Sequence, residues 1–427
     1  MVWIGLLLVL LTLVGTPLFV IIAAVAMLGL HAADYDLAIV AAEFFRITEM
    51  PVLIAIPLFT IAGYLLGESK APQRLVRLTD ALFGWMPGGL AIVALVSCAL
   101  FTAFTGATGV TIVALGAVLY PALRHAQYPE RFNLGLVTTS GSLGLLFAPS
   151  LPLIIYAVVA QQLVSDPPIR VEDLFLAGLL PGLLMVLLLS IYSIKVAAGA
   201  KRARPKFSAR EAWAATWDAR WEIPLPVVVL GGIYAGKIAP SEAAAVTALY
   251  VAIVVLGIRR EVKLREFPRV AREAMLLVGA ILVILGVALA LTNWLIDQEV
   301  PQKLFEGLRA HLDSRLVFLL VLNVFLLVFG MLLEGLPAIM ILVPLVLPIA
   351  IGYGVHPVHF GILFLANLQV GFFTPPLGMN LFVASYRFEQ PVMSVIRASW
   401  PFFVIQFAAV LLITYWPWLS LVLVKSP

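Results

Sequence analysis

Four interruptions in otherwise apolar stretches concentrate the residues able to do chemistry. The first, Phe104-Thr105-Gly106-Ala107-Thr108-Gly109-Val110-Thr111, holds three threonines and two glycines in eight residues. The second runs Thr138-Thr139-Ser140-Gly141-Ser142-Leu143-Gly144 and continues as Ala148-Pro149-Ser150-Leu151-Pro152. The third is Gly330-Met331-Leu332-Leu333-Glu334-Gly335-Leu336-Pro337. The fourth holds Asn367, Gln369 and Gly371, then Thr374-Pro375-Pro376-Leu377-Gly378-Met379-Asn380. Proline removes a backbone donor and frees carbonyls. Freed carbonyls with Thr, Ser and Asn oxygens suit a hard monovalent cation such as Na+, and the N-termini of half-helices suit a carboxylate.

Glu334 is the acid set deepest in an apolar stretch of the second half. A charge at the bilayer centre costs about 2.5–3.5 kcal/mol on insertion scales, so it needs a reason to be there. It could ligate a cation, carry a proton, or cap the second arm of its hairpin. The single cysteine, Cys98, supports neither a disulfide framework nor a cysteine metal site. His356 and His359 have no third ligand beside them and read as an interfacial pair. Asn293 and Asn323 read as interhelical hydrogen-bonding residues. Glu242, in the first turn after Pro240-Ser241, reads as a helix cap. An intramembrane enzyme would need convergent acids, histidines or metal ligands at depth, and Glu334 offers little company.

The elements that hold these breaks must be membrane helices. Of 427 residues, 63% are hydrophobic and 12% charged, where soluble domains carry roughly a quarter charged. The bilayer is therefore the solvent, and an all-α polytopic membrane protein is expected. A formal charge of +4 is too small and too spread for nucleic-acid binding. Runs long enough to span are Val2–Leu30, Met50–Gly67, Val171–Gly199, Ala239–Ile258, Glu273–Ile296 and Val395–Val424. The first reads as a retained transmembrane helix rather than a signal peptide. Tyr415-Trp416-Pro417-Trp418 reads as part of an interfacial aromatic belt.

Lys195–Glu222 carries Lys195, Lys201, Arg202, Arg204, Lys206, Arg210 and Arg220, and Arg259–Arg272 is similarly basic. Both are expected to be cytoplasmic. His31–Glu49 and Gln161–Asp173 are expected outside, and Asp297–Arg315 is mixed. A shift of 227 positions carries Pro121 onto Pro348, Gly144 onto Gly371, Pro149 onto Pro376 and Ala157 onto Ala384. A shift of 229 carries Ala71-Pro72-Gln73 onto Val300-Pro301-Gln302, and both open amphipathic stretches. Corresponding loops differ in charge sign, which predicts an inverted repeat, the sequence signature of secondary carriers. The expected halves are 1–222 and 239–427, joined by a connecting crossing at 223–238. Each holds a re-entrant hairpin (89–123, 316–352) and a broken helix (132–160, 358–385).

Three blocks then resemble a known family. Gly231-Gly232-Ile233-Tyr234-Ala235-Gly236 with Pro240-Ser241-Glu242-Ala243-Ala244-Ala245 is similar to a block of the large membrane subunit of TRAP transporters, the DctM-like family. So are His356-Pro357-Val358-His359-Phe360-Gly361 and Thr374-Pro375-Pro376-Leu377-Gly378-Met379-Asn380. The resemblance implies an elevator-type carrier in the bacterial inner membrane, driven by a sodium gradient. It would take a small organic anion from a periplasmic, DctP-like substrate-binding protein and work with a small four-helix, DctQ-like membrane subunit, expected as a separate chain. Carried onto this sequence, the implied Na+ ligands are Thr105, Gly106, Thr108, Thr111, Ser140, Ser142, Glu334, Gly335, Asn367, Thr374 and Gly378. The implied substrate contacts are Thr105, Thr108, Ser150, Thr374 and Asn380. Two departures stand out: the first tip is threonine-rich where many relatives have serine, and Glu334 stands where aspartate is frequent. A self-sufficient dicarboxylate or citrate-like carrier without a receptor stays open as an alternative.

Overall fold

The computed structural model describes residues 10–11, 14–164, 168–198, 207–235 and 237–424. Among these the chain is helical, with no strand. Helices α1 (Leu18–Ala32) and α2 (Ala38–Ile47) precede α3 (Ala55–Glu68) and α4 (Ala71–Phe83). The first hairpin is α5 (Gly89–Thr105), α6 (Thr108–Ala114) and α7 (Gly116–His125). The first broken helix follows as α8 (Glu130–Ser140), a 3-10 turn at Leu143–Leu146 and α9 (Leu151–Gln161), and then comes α10 (Val171–Ala198). The connector holds α11 (Ala209–Asp218) and α12 (Pro224–Tyr234). Next are α13 (Pro240–Ala252), α14 (Phe267–Asp297) and α15 (Val300–Arg309). The second hairpin is α16 (Arg315–Leu332) and α17 (Gly335–Gly352), and the second broken helix is α18 (Pro357–Gly371) and α19 (Met379–Phe388). α20 (Val392–Tyr415) and α21 (Trp418–Leu421) end the described chain.

Seven of the described helices are long and apolar enough to cross a membrane, or eight if the broken pair around Leu146–Leu151, bent by 43°, is one span. Two expectations change. The run expected as one span over Val2–Leu30 is interrupted at Val14–Pro17, where Gly15 takes φ +89°, and residues 1–9, 12 and 13 lie outside the described residues. α12 has 11 residues, about 16 Å at 1.5 Å per residue, short of the roughly 30 Å of hydrocarbon. Gly236, on which that crossing drew, and the basic residues Lys201, Arg202, Arg204 and Lys206 lie outside the described residues. The loops read at 31–49 and 195–222 each contain a helix, α2 and α11.

The loops sort onto two ends of the molecule as their charges predicted. At the basic end Arg74 of α4 binds Glu222 (Nε–Oε1, 2.8 Å) and Glu261, and Arg77 binds Glu211 at 2.9 Å. At the other end Tyr35 donates to Asp297 (2.7 Å) and Arg46 to Gln162 (2.7 Å), which places the mixed loop 297–315 with the loops expected outside. Both ends of the first hairpin lie at the basic end: Gly88 abuts Ile194, and Phe132, just after the hairpin, packs on Tyr192. Both ends of the second lie at the opposite end, where Tyr353 stacks on Phe318 and bonds Leu312 O at 2.8 Å.

The two halves repeat one packing device. A Cβ on Gly144 would fall 2.4 Å from Ala99 O and 2.5 Å from Ala103 N, and a Cβ on Gly371 would fall 2.6 Å from Gly330 C. Gly144 and Gly371, and likewise Ala103 and Gly330, are related by the 227-residue shift. In each half a glycine lets the broken helix press its backbone against the first arm of the adjacent hairpin. The cis peptides Ala148–Pro149 and Pro375–Pro376 sit at the two breaks in the same relation.

Gly144→Ala and Gly371→Ala are each expected to cost about 1–3 kcal/mol by overpacking, read as a fall in Tm of the purified chain. Gly279→Ala, whose Cβ would meet nothing within 4 Å, should leave Tm unchanged or raise it. The Arg74 cluster makes a pH prediction. Burial alone would push the Glu261 carboxyl up, but hydrogen bonds from Arg74 and from the Lys70 N–H outweigh it and hold the carboxyl below its usual 4.5. Its contribution is complete above that value and is lost as pH falls through the depressed one. Tm should therefore fall below about pH 4.5, and less steeply in Glu261→Gln. Arg74→Ala should cost about 3–5 kcal/mol, because it strands two carboxylates.

Candidate functional site

The two hairpin tips arrive from opposite ends of the molecule and meet at one cavity of about 210 Å3. Gly106 to Val110 of the first tip and Glu334 to Leu336 of the second form its walls, with Leu151 and Pro152 of α9 and Phe372 and Met379 around the second break. Tyr64 of α3 and Leu277 of α14 complete the wall. The first tip turns because Gly106 takes φ +65°, a left-handed conformation that favours glycine, and a Cβ there would fall 3.0 Å from Leu151 Cβ.

Four helices begin at this cavity. Thr108 opens α6, Leu151 opens α9, Gly335 opens α17 and Met379 opens α19. The first N–H groups of a helix lack intrahelical partners and carry the positive end of its dipole. The lining contains no Lys, Arg or His. Its one carboxylate is Glu334, which is exposed to the cavity and makes no side-chain cap on α17. Of the three roles open to Glu334, side-chain capping is therefore not realised, whereas Glu242 does cap, accepting from Ala239 N at 2.9 Å.

Behind the cavity wall the predicted residues fall into two polar clusters and one bridge. In the first cluster Thr102 Oγ1 bonds Thr111 Oγ1 (2.7 Å) and donates to Gly141 O (2.9 Å). Ser140 and Ser142 are buried and turn back onto Val137 O and Thr139 O. Thr105 turns back onto Phe101 O at 3.1 Å. In the second cluster Thr374 donates to Val370 O (2.8 Å) while Gly378 N closes the break onto Thr374 O (3.0 Å). Asn367 lies deeper in α18, donating to Asn323 Oδ1 at 2.7 Å, which also accepts from Thr414. The bridge is Thr108 Oγ1 donating to Asn380 Oδ1 at 2.9 Å, across 272 residues of sequence.

Several buried polar atoms here have no protein partner: Ser150 Oγ, Asn367 Oδ1 and Asn380 Nδ2. An unpaired buried polar group costs about 1–3 kcal/mol, and these three belong to the residues singled out in the sequence. Thr108, Gly106, Glu334 and Gly335 face the cavity, and Thr105, Thr111, Ser140, Ser142, Ser150, Asn367, Thr374, Gly378 and Asn380 do not line it. Oxygen atoms dominate both clusters, and no group of three or more His, Cys, Asp or Glu side chains stands together among the described residues. That suits an alkali cation rather than a transition metal.

Thr102 had a weak sequence signal, one helical turn before Thr105. Tyr64 and Leu277 had none, since both sit in unbroken apolar helices. Asn293 donates to Glu43 (2.6 Å), and Asn323 donates to Leu319 O while accepting from Asn367 and Thr414, so both make interhelical bonds as expected. His356 accepts from Val358 N, but His359 is buried between Ser420 and Thr414 rather than lying at a surface.

The Thr108–Asn380 bond tests whether the halves are coupled here. Thr108→Val and Asn380→Leu should each lower Tm by the equivalent of about 1–3 kcal/mol. The double variant should lose less than the sum by about 0.5–1.5 kcal/mol. Strict additivity would mean that the bond contributes nothing.

Comparison with known proteins places this architecture. The sequence profile of the family described as "Tripartite ATP-independent periplasmic transporter, DctM component" matches residues 2–419. The C4-dicarboxylate TRAP transporter large permease protein DctM of Pseudomonas aeruginosa is 36% identical over 385 residues, covering 90% of this chain and 88% of that one. The isethionate TRAP transporter permease protein DctMQ of Oleidesulfovibrio alaskensis is 34% identical over 95% of this chain and 63% of its own length. Among solved structures, the YdaH transporter of Alcanivorax borkumensis shares the fold with a TM-score of 0.61 and 16% identity, over 90% of this chain and 89% of that one. The chain belongs to the DctM family, the large permease component of TRAP transporters, and is a multi-pass protein of the inner membrane.

Proposed function

We propose that this chain carries a small organic anion inward by sodium coupling, with an elevator motion. The substrate would be delivered by a periplasmic substrate-binding protein, and a small membrane subunit would assist. The observation that supports the reading best is the convergence of four helix N-termini on one cavity without a basic side chain. Oriented N–H groups can hold a carboxylate without the desolvation cost of a buried lysine or arginine.

Glu334 supports the coupling. A substrate carboxylate about 5 Å from it would be repelled by roughly 3 kcal/mol at an effective dielectric of 20. A cation bound nearby removes that penalty, so ion and substrate binding favour each other. The hydroxyl and carbonyl oxygens of Thr102, Thr111 and Gly141, and those of Thr374 and the second break, are the groups we assign to Na+. Each net positive charge moved inward at 100 mV contributes about 2.3 kcal/mol, so more Na+ than substrate charge would drive accumulation.

The packing supports an elevator. α3 packs on both α13 and α14, and α1 and α2 both lean on α14. The hairpins and broken helices pack mainly among themselves, as in α8 on α20, α16 on α18 and α6 on α19. The cavity lies where the second group meets Tyr64 and Leu277 of the first. In this reading the first group stands still and the second slides, as two mirrored halves of an inverted repeat. The permease named DctMQ among the relatives supports a small membrane subunit as partner.

The test needs no substrate. Tm of the purified chain is measured in NaCl, KCl and choline chloride at equal ionic strength. A saturable rise specific to Na+ is expected, about 2.7 kcal/mol of added stability at a hundredfold excess over Kd. Thr111→Val and Thr374→Val should abolish it while keeping the fold. Equal stability in all three salts would remove sodium as the coupling ion.

A further inference from the structure

We infer that α11 is an anchor for anionic phospholipid, lying in the headgroup layer at the basic end of the molecule. One face of this ten-residue helix is fixed to the protein. Ala215 and Ala219 are buried, Glu211 and Asp218 pair with Arg77 of α4, and Asp218 also pairs with Arg259. The opposite face meets no other element among the described residues. Trp213 and Trp217, four residues apart, are 70% and 60% exposed, and their rings stack at 6.4 Å. Phe207, just before the helix, is 55% exposed and meets Trp85 edge-on.

Two arginines frame the tryptophans. The Arg220 guanidinium lies 4.9 Å from the Trp217 ring and 5.7 Å from that of Trp221. Arg210 is exposed at the other end. Neither forms a salt bridge among the described residues, because Arg77 and Arg259 already use the acids of this helix. An aromatic strip between uncompensated guanidinium groups suits a phospholipid surface. Indole rings settle at the boundary between headgroup and acyl chain. Guanidinium forks match phosphate oxygens, and net negative lipid answers their charge.

The level fits as well. α12 begins six residues after α11 ends, and its Val227 and Val228 are 66% and 51% exposed, as lipid-facing residues are. A protein partner fits less well. The strip is about 15 Å long, whereas a stable interface needs roughly 800 Å2 from each side. Because α11 is tied to α4, and Phe207 touches the turn before the first hairpin, lipid held here would fix this end of the protein in the plane of the leaflet.

Hydrogen–deuterium exchange on the whole chain tests this, in nanodiscs of phosphatidylcholine alone or mixed with phosphatidylglycerol. Amides of residues 209–219 should exchange roughly threefold or more slower in the anionic discs. Arg210→Gln with Arg220→Gln should erase that difference while Tm stays the same. Trp213→Ala with Trp217→Ala should speed exchange in both lipids. Equal exchange in the two lipids, or a difference that survives in the double arginine variant, would overturn the assignment. Protection that appears only when a small membrane subunit is added would overturn it too, assigning the strip to protein.

Discussion

A peptide group inside hydrocarbon has no water to bond, so every break in a membrane helix must find partners within the protein. This chain contains four such breaks, and that requirement organises the rest of it. The first hairpin tip turns at Gly106 and rests on Leu151. The second break closes through Gly378 N on Thr374 O and Asn380 N on Phe372 O. The first of these turns is covered by a neighbouring break, and the other closes on its own backbone. Gly144 and Gly371 let each broken helix approach its hairpin closely.

Once the breaks are gathered, their chemistry follows. Each ends one helix and starts another, so gathering four of them aims four sets of free N–H groups at one volume. Thr108 and Glu334 face that volume, while the other threonine hydroxyls of the breaks lie behind its wall.

The charged ends play a different part. Arg74 joins Glu222 and Glu261, drawing α4, the connector and the loop after α13 into one buried cluster. Tyr35 and Arg46 join Asp297 and Gln162 at the far end. These bonds fix which loops share a side.

By itself the sequence determined the membrane class, the position of the breaks and the charge of each end. These are local properties: apolar runs of helix length, Gly, Pro and Thr clusters, and Lys and Arg counts. It also placed Thr108 and Asn380 among the residues of interest, because each stands in a break. Only the tertiary structure decided that they touch, since 272 residues separate them and no periodicity links one to the other. Tyr64 and Leu277 were invisible for the same reason: in an unbroken apolar helix, a wall residue and a lipid-facing residue look alike until a neighbour covers one of them. The role of Glu334 was likewise undecided, because capping and facing a cavity differ only in where the side chain points. The interruption at Val14–Pro17 follows from backbone conformation that a hydrophobic run does not record.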